Sequence, residues 1–256
     1  LYGSPEYEPE KREICDPWIA LAAIALSTRR IRLGTMVTPL SRRRPWKVAR
    51  ETVTLDHLCQ GRLILPVGLG AVTEGGFSKV GEETDRKIRA EMLDEGLAIL
   101  AGLWSGQPFS YAGQHYQVQE MTFLPPPVQA PRIPIWVIGA WPRQKSLQRA
   151  LRWDGILPAK LLEDGSFADM TPADIEELQT FIKTHRSSAT PFDIVMEGET
   201  PGDDPDAATA LLQPLAQAGV TWWLEAVWAS PETKGGVEGM FRRIQQGPAR
   251  ITESDV

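Results

Sequence analysis

The stretch Asp16-Pro-Trp-Ile-Ala-Leu-Ala-Ala-Ile-Ala-Leu-Ser-Thr-Arg-Arg-Ile-Arg-Leu-Gly-Thr-Met-Val37 decides the fold. Asp16 is an N-cap residue and Pro17 is pre-set for the first helical position, so a helix starts here. Residues 18–27 are apolar nearly all round, which predicts a well-buried helix. Thr28-Arg29-Arg30 turns the chain into a strand over residues 31–37. Outward from this stretch the same helix-then-strand unit recurs. Pro45 opens a helix through Leu58, Gly61 stops it, and Leu63 to Val67 reads as a strand ending in Gly68-Leu69-Gly70. A helix over residues 86–104 carries Ile88, Met92, Leu93, Leu97, Leu100 and Leu103 on one stripe. Further strands are predicted at 134–138, 155–157, 192–196 and 220–227. The helices among them end at Trp153, run from Thr171-Pro172 to His185, cover 206–217 with a kink at Pro214, and run from a Ser230-Pro231-Glu232 cap to Gln245. Strands such as Ile135-Trp-Val-Ile138, apolar without alternation, suit a parallel sheet covered on both faces. Strand–helix alternation with short connections predicts the α/β class and a (β/α)8 barrel architecture. About six strands are present where a barrel closes on eight.

One domain over residues 1–256 is expected. Residues 107–129 form an excursion outside the sheet, because Tyr111-Ala-Gly-Gln-His-Tyr116 reads as a hairpin and Leu124-Pro-Pro-Pro127 cannot sit in a central strand. Residues 71–85 are glycine-rich, charged and too long for an ordinary connection, which predicts a lid or a disordered segment. With 42% hydrophobic residues the chain can bury a full core, and its net charge of −6 argues against nucleic acid or an anionic membrane surface as partner. No apolar run reaches membrane-spanning length. The two cysteines, Cys15 and Cys59, make no disulfide scaffold, and the three histidines (His57, His115, His185) lie apart with no metal-ligand spacing. A reduced, cytoplasmic protein without a metal is the expectation.

Three stretches together resemble the bacterial luciferase-like flavin monooxygenase family, which includes FMN enzymes and deazaflavin (coenzyme F420) enzymes. They are Asp16 to Ala25 running into Arg30-Ile-Arg-Leu-Gly-Thr-Met-Val-Thr-Pro39; Arg50-Glu-Thr-Val-Thr-Leu-Asp56 with Gly61-Arg-Leu-Ile-Leu65 and Gly68-Leu-Gly70; and Pro134-Ile-Trp-Val-Ile-Gly139 with Arg149-Ala150 and Trp153-Asp-Gly155. The likeness covers residues 14–160 in order and at family-like spacing. It implies a flavin-dependent oxidoreductase or monooxygenase that uses reduced FMN and O2 on a small organic substrate. The alternatives are an F420-dependent hydride-transfer enzyme, or a shortened, non-catalytic flavin-binding member. Family members begin with a strand, a helix and a second strand ahead of the helix at Asp16, so the resemblance implies that this segment is absent here. With it would go a histidine near the end of the second strand that has no counterpart in this chain. Homodimerisation is also implied, and is favoured by the need to bury open sheet edges.

Ligands of (β/α) barrels bind at the C-terminal ends of the strands. On the resemblance, Met36, Val37 and Thr38 lie against the flavin, with strand termination before Pro39 as the alternative. Gly68 and Gly70 let backbone approach the cofactor, or simply make a tight turn. They are not a dinucleotide fingerprint, since position 73 is Thr. Gly139, Ala140, Trp141 and Arg143 precede a helix whose N-terminus can hold a phosphate. Ala140 and Trp141 stand where many members carry a second glycine and a serine. The run Arg42-Arg43-Arg44 reads as a solvated loop, or as an anion site for a polyanionic deazaflavin tail. Asp56 and Arg62 are expected to brace a helix-to-strand turn. No nucleophile–base set is visible, which suits an enzyme whose cofactor carries the redox chemistry.

Overall fold

The computed structural model describes residues 15–72, 76–226 and 235–249. They fall into two compact units, Tyr2–Ile138 and Gly139–Val256.

In the first unit, helix α1 (Pro17–Ser27) is capped by the Asp16 carboxylate, which accepts the N–H groups of Trp18 and Ile19 at 2.9 and 3.0 Å. It is not the buried helix that its composition predicts. Trp18 and Ala25 are buried, while Ile19 is 74% and Leu26 60% exposed. The helix packs on α2 (Pro45–Leu58) along one line, and one line of contact covers only part of a helix's circumference.

The strand expected over residues 31–37 is also largely absent. Leu33 makes a single bridge to Leu63, and a ladder forms only at β1 (Thr38–Pro39), parallel to β2 (Leu65–Gly68). From Leu33 to Thr38 the chain advances five residues while the partner advances four, from Leu63 to Val67, so register slips by one. Pro66 and Pro39 also lack the N–H groups that a continuous ladder requires.

Strand β2 pairs in parallel with β5 (Ile135–Trp141) through Leu65–Ile135 and Val67–Val137. Helix α3 (Arg86–Trp104) buries Leu93, Leu97, Leu100 and Leu103, and packs on α2 and on the 3-10 turn Leu40–Arg42. Gly96 permits that approach: a Cβ there would stand 3.0 Å from the Leu40 side chain. The excursion is a separate hairpin, β3 (Pro108–Ala112) and β4 (Gln117–Thr122). The Glu95 carboxylate on α3 holds its tip by accepting the N–H groups of Gln114, His115 and Tyr116.

Two polar side chains lock the turn between α2 and β2. Asp56 is fully buried, and its carboxylate accepts the N–H groups of Val128 and Gln129 and the Gln129 side-chain amide. The Arg62 guanidinium donates to the carbonyls of Ala25, Thr28, Ile31 and Cys59, tying the end of α1 to the end of α2.

In the second unit, β6 (Gly155–Leu161) runs four residues beyond the expected strand and folds back on β7 (Phe167–Ala168). Asp164 and the left-handed Gly165 make that turn. β6 lies parallel to β8 (Asp193–Gly198), and β8 parallel to β9 (Trp222–Glu225), which is shorter than the predicted strand. The helices are α4 (Gln144–Ala150), α5 (Pro172–His185), α6 (Pro205–Ala218) and α7 (Gly236–Gln246). Pro214 lies inside α6, which continues past it to a left-handed C-cap at Gly219. The expected cap at Ser230-Pro231-Glu232 lies outside the described residues. At the start of α5, Thr171 and Asp174 form a reciprocal capping box, and Lys160 on β6 donates to the Asp174 carboxylate at 2.7 Å. These bonds hold the Asp174 pKa down at about 2, against the cost of desolvation.

The fold is therefore α/β, with the βα repeat of a (β/α) barrel and six of its parallel strands: β1, β2, β5, β6, β8 and β9. Among the described residues no helix is long and apolar enough to cross a membrane, and no group of side chains could hold a metal ion.

Two predictions follow from these braces. Arg62→Ala removes a charged donor from four carbonyls and should cost about 2–3 kcal/mol, read as a lower urea midpoint at unchanged slope. Asp174 has a depressed pKa, so its contribution to stability is complete above its ordinary pKa of 3.8 and lost as pH falls through about 2. Asp174→Asn should flatten that segment of the plot of urea midpoint against pH; an unaltered slope would contradict the assignment.

Candidate functional site

Strand ends of the first unit bring Met36, Val37, Gly68 and Gly70 together. A Cβ on Gly68 would meet the Val37 side chain at 3.4 Å and the end of the Ile138 side chain at 2.9 Å, so a larger residue there would push Ile138 aside. Gly70 takes a left-handed φ of 75°, and a Cβ there would stand 2.7 Å from Pro39 and 2.9 Å from the Phe77 ring. The Met36–Val37 peptide is cis. Met36 is exposed and Val37 half-buried, so both offer surface to a ligand. Thr38 does not. Its side chain is buried, and its hydroxyl lies 2.6 Å from that of Thr35, also buried.

Helix α3 supplies a residue that the sequence reading missed. Arg89 is only 5% exposed, and its Nη1 donates to the carbonyls of Leu69 and Gly70, both at 2.9 Å. Its Nε is buried with no acceptor among the described residues. Desolvation, and next the nearby charge of Arg86, push its pKa down. The guanidinium lies 5.1 Å from the centre of the Phe77 ring, and Arg42 approaches the same ring at 5.1 Å. Phe77 is 1% exposed, so the segment expected to be a lid is anchored at this point. The available signal was spacing: Arg89, Leu93 and Leu97 recur at four-residue intervals, which places a charge on the buried stripe of α3.

The basic run is not a solvated loop throughout. Arg42 and Arg43 are half-buried, and Arg42 donates to the Gly76 carbonyl at 3.2 Å. Arg44 alone is exposed, beside Trp46. The attraction of Arg42 to the buried Phe77 face is the physical reason.

All three histidines serve local structure. His57 pairs with the Pro126 carbonyl, His115 with Glu91, and His185 with the Phe181 carbonyl. Burial pushes the Cys59 thiol up, away from reactivity.

In the second unit, Gly139 is buried against Ile156; a Cβ there would stand 2.4 Å from that side chain. The Ala140 N–H donates to the Ser146 hydroxyl on α4 at 2.9 Å, and Ala140 and Trp141 are buried. Arg143 is exposed at the N-cap of α4, a helix of seven residues, and its side chain makes no cap bond. The structure thus joins Gly139 and Ala140 to the first turn of α4 and leaves Arg143 on the surface.

At the end of β9, the Glu225 carboxylate accepts the N–H and hydroxyl of Thr200, at 2.8 and 2.7 Å, and pairs with Arg243 of α7. Hydrogen bonds from Thr200 and the charge of Arg243 hold its carboxyl below the usual range, although desolvation opposes them. Glu197, at the end of β8, has no such partners.

The luciferase-like monooxygenase family model matches residues 4–246, and the chain belongs to that family. An uncharacterized protein of Mycobacterium tuberculosis is 33% identical over 160 residues, covering 58% of this chain and 55% of that protein. The F420-dependent hydroxymycolic acid dehydrogenase of the same organism is 33% identical over 138 residues, covering 51% of this chain and 36% of the enzyme. The aligned part spans about half the length of the first of these relatives, or less. Among solved structures, the oxygenating constituent of a diketocamphane monooxygenase from Pseudomonas putida, in complex with FMN, superposes with a TM-score of 0.66 at 14% identity, covering 91% of this chain and 82% of that one. The coenzyme F420-dependent tetrahydromethanopterin reductase of Methanopyrus kandleri gives 0.64 at 17% identity, covering 83% and 82%. At these identities the structural likeness speaks for the fold.

The Phe77 anchor is testable. Phe77→Ala should destabilise the protein by about 3 kcal/mol and increase protease cleavage within residues 71–85. Cleavage unchanged from the parent would show that the ring does not hold the segment.

Proposed function

We propose that this chain is a flavin-dependent oxidoreductase of the monooxygenase type, acting with reduced FMN and O2 on a small organic substrate. The observation that carries this reading is Arg89. A guanidinium in the interior at the end of β2 hydrogen-bonds two carbonyls and makes no ion pair; burial and the charge of Arg86 oppose its charge, and Asp85 and Glu83 act on it only through space. Such a charge favours an anionic group nearby, and a phosphate is a good match for guanidinium donors. The orphaned Nε and the glycine positions fit a phosphate-bearing flavin. Arg89 would hold its charge, Gly68 would let backbone approach it, and Met36 and Val37 would offer apolar surface to the ring. The bound cofactor supplies the redox chemistry; the chain binds, orients and excludes water. The family description and the likeness to an FMN-bound monooxygenase support FMN.

The second reading, hydride transfer with F420, is favoured by a different observation. Two relatives with named activities are F420-dependent: the hydroxymycolic acid dehydrogenase, and a glucose-6-phosphate dehydrogenase of Microbacterium testaceum that is 33% identical over 128 residues. Both cofactors carry a phosphate, so Arg89 serves either reading.

Titration of the purified chain with FMN and with F420, followed by cofactor fluorescence, tests and separates the two. Saturable uptake of one is expected, and Arg89→Met should weaken it by about 10- to 100-fold, a charged hydrogen bond being worth 1.5–3 kcal/mol, with unchanged circular dichroism. A folded chain that takes up neither would overturn both readings.

A further inference from the structure

Within the second unit, an open cavity of about 400 Å³ lies between the C-terminal ends of α4 and α5. That volume falls in the range of small-molecule sites. The two helices lead into the N-terminal ends of β6 and β8, so the cavity stands at the opposite end of those strands from Leu161 and Gly198. Gln148, Leu151 and Arg152 form one wall. His185, Arg186, Ser187 and Ser188 form the other, and no carboxylate lines the space.

Two helix C-termini are by themselves a poor place for an anion, because their last carbonyls carry partial negative charge. Here several of those carbonyls are already occupied. The N–H groups of Leu151, Arg152 and Trp153 donate to the carbonyls of Leu147, Arg149 and Ala150, and the Arg186 N–H donates to that of Ile182. The Arg186 guanidinium donates to the carbonyls of Ser188, Thr190 and Trp153 and to the Thr190 hydroxyl, and hydrogen-bonds no carboxylate. It therefore fixes the loop after α5 and leaves a positive charge on the cavity wall.

The remaining polar groups can donate inward. His185 Nδ1 lies 2.9 Å from the Phe181 carbonyl, which can only accept, so this nitrogen carries a proton. Nε2 has no hydrogen-bond partner among the described residues and becomes a second donor once the ring is protonated. The Gln148 amide and the Ser187 hydroxyl also make no hydrogen bond among the described residues. Arg152 is exposed and brings a second guanidinium, itself in contact with a neighbour. Leu151, buried, supplies an apolar floor.

We propose that this cavity binds a small phosphate ester. Two guanidinium groups, an imidazole, an amide and hydroxyls surround one space without a competing carboxylate. A phosphate presents oxygens in several directions, which suits donors converging from two helix ends, and Leu151 offers surface to the organic part of the ester. The site neither requires nor supports the flavin reading.

The test uses the whole chain with 15N-labelled histidine, titrated with inorganic phosphate at fixed pH and ionic strength and followed by NMR. The His185 signal is assigned by its loss in His185→Gln. We expect it to shift saturably with phosphate. Arg152→Gln should weaken binding about tenfold, and Ser187→Glu, which places a negative charge in the cavity from an exposed position, should abolish it, both with unchanged circular dichroism. Lys183→Gln, on the exposed side of α5 and outside the cavity, should stay within about twofold of the parent. A His185 signal unmoved by phosphate, including the case of uptake at Arg89 alone, would overturn the proposal. So would equal weakening by Lys183→Gln and Arg152→Gln, which marks diffuse charge, or acetate saturating the same shift as tightly as phosphate.

Discussion

Two carbonyls, those of Leu69 and Gly70, keep the Arg89 guanidinium in an interior where no carboxylate hydrogen-bonds to it, and the charges of Asp85 and Glu83 act only through space. Burying a charge without a counter-ion is costly, and the structure meets that cost only in part, with backbone dipoles and the face of Phe77. Much else in the first unit depends on this arrangement. The β2 end cannot move without stripping Arg89 of its acceptors. Gly70 must stay glycine, because Phe77 and Pro39 crowd the place of a Cβ. Arg42 is drawn inward by the same ring. The charge that makes the region expensive in isolation is also the feature on which the proposed anion site rests.

Elsewhere buried polar groups are spent on backbone. Asp56, Arg62 and Glu95 each satisfy several N–H or carbonyl groups at once, and each joins segments distant in sequence. They behave as fasteners. A side chain that already holds three or four backbone groups cannot take part in a reaction without releasing them. The Nε of Arg89, on α3, is among the groups with hydrogen-bonding capacity to spare.

Much of the fold was legible in the chain. The Asp16-Pro17 and Thr171-Pro172 caps, the α3 stripe and the apolar run at Ile135 follow from local geometry and periodicity, which are properties of neighbouring residues. The readings that failed were those that depend on what lies opposite. Helix α1 is apolar all round, yet composition cannot say how many of its faces meet a partner. Residues 31–37 have strand character, yet Pro66 and the register slip belong to the other side of the ladder. Of the candidate positions, Val37 lies against Gly68, and Gly70 lies against Pro39 and Phe77. Thr38 faces inward to Thr35, and Arg143 stays on the surface.

The amino-acid sequence by itself determined the α/β repeat and the family, because these follow from spacing along one chain. Tertiary structure alone decided which polar side chains are fully engaged and which keep hydrogen-bonding capacity. Arg89 lies about twenty residues from the carbonyls it binds. Burial and hydrogen-bond satisfaction are relations between segments, and no local pattern encodes them.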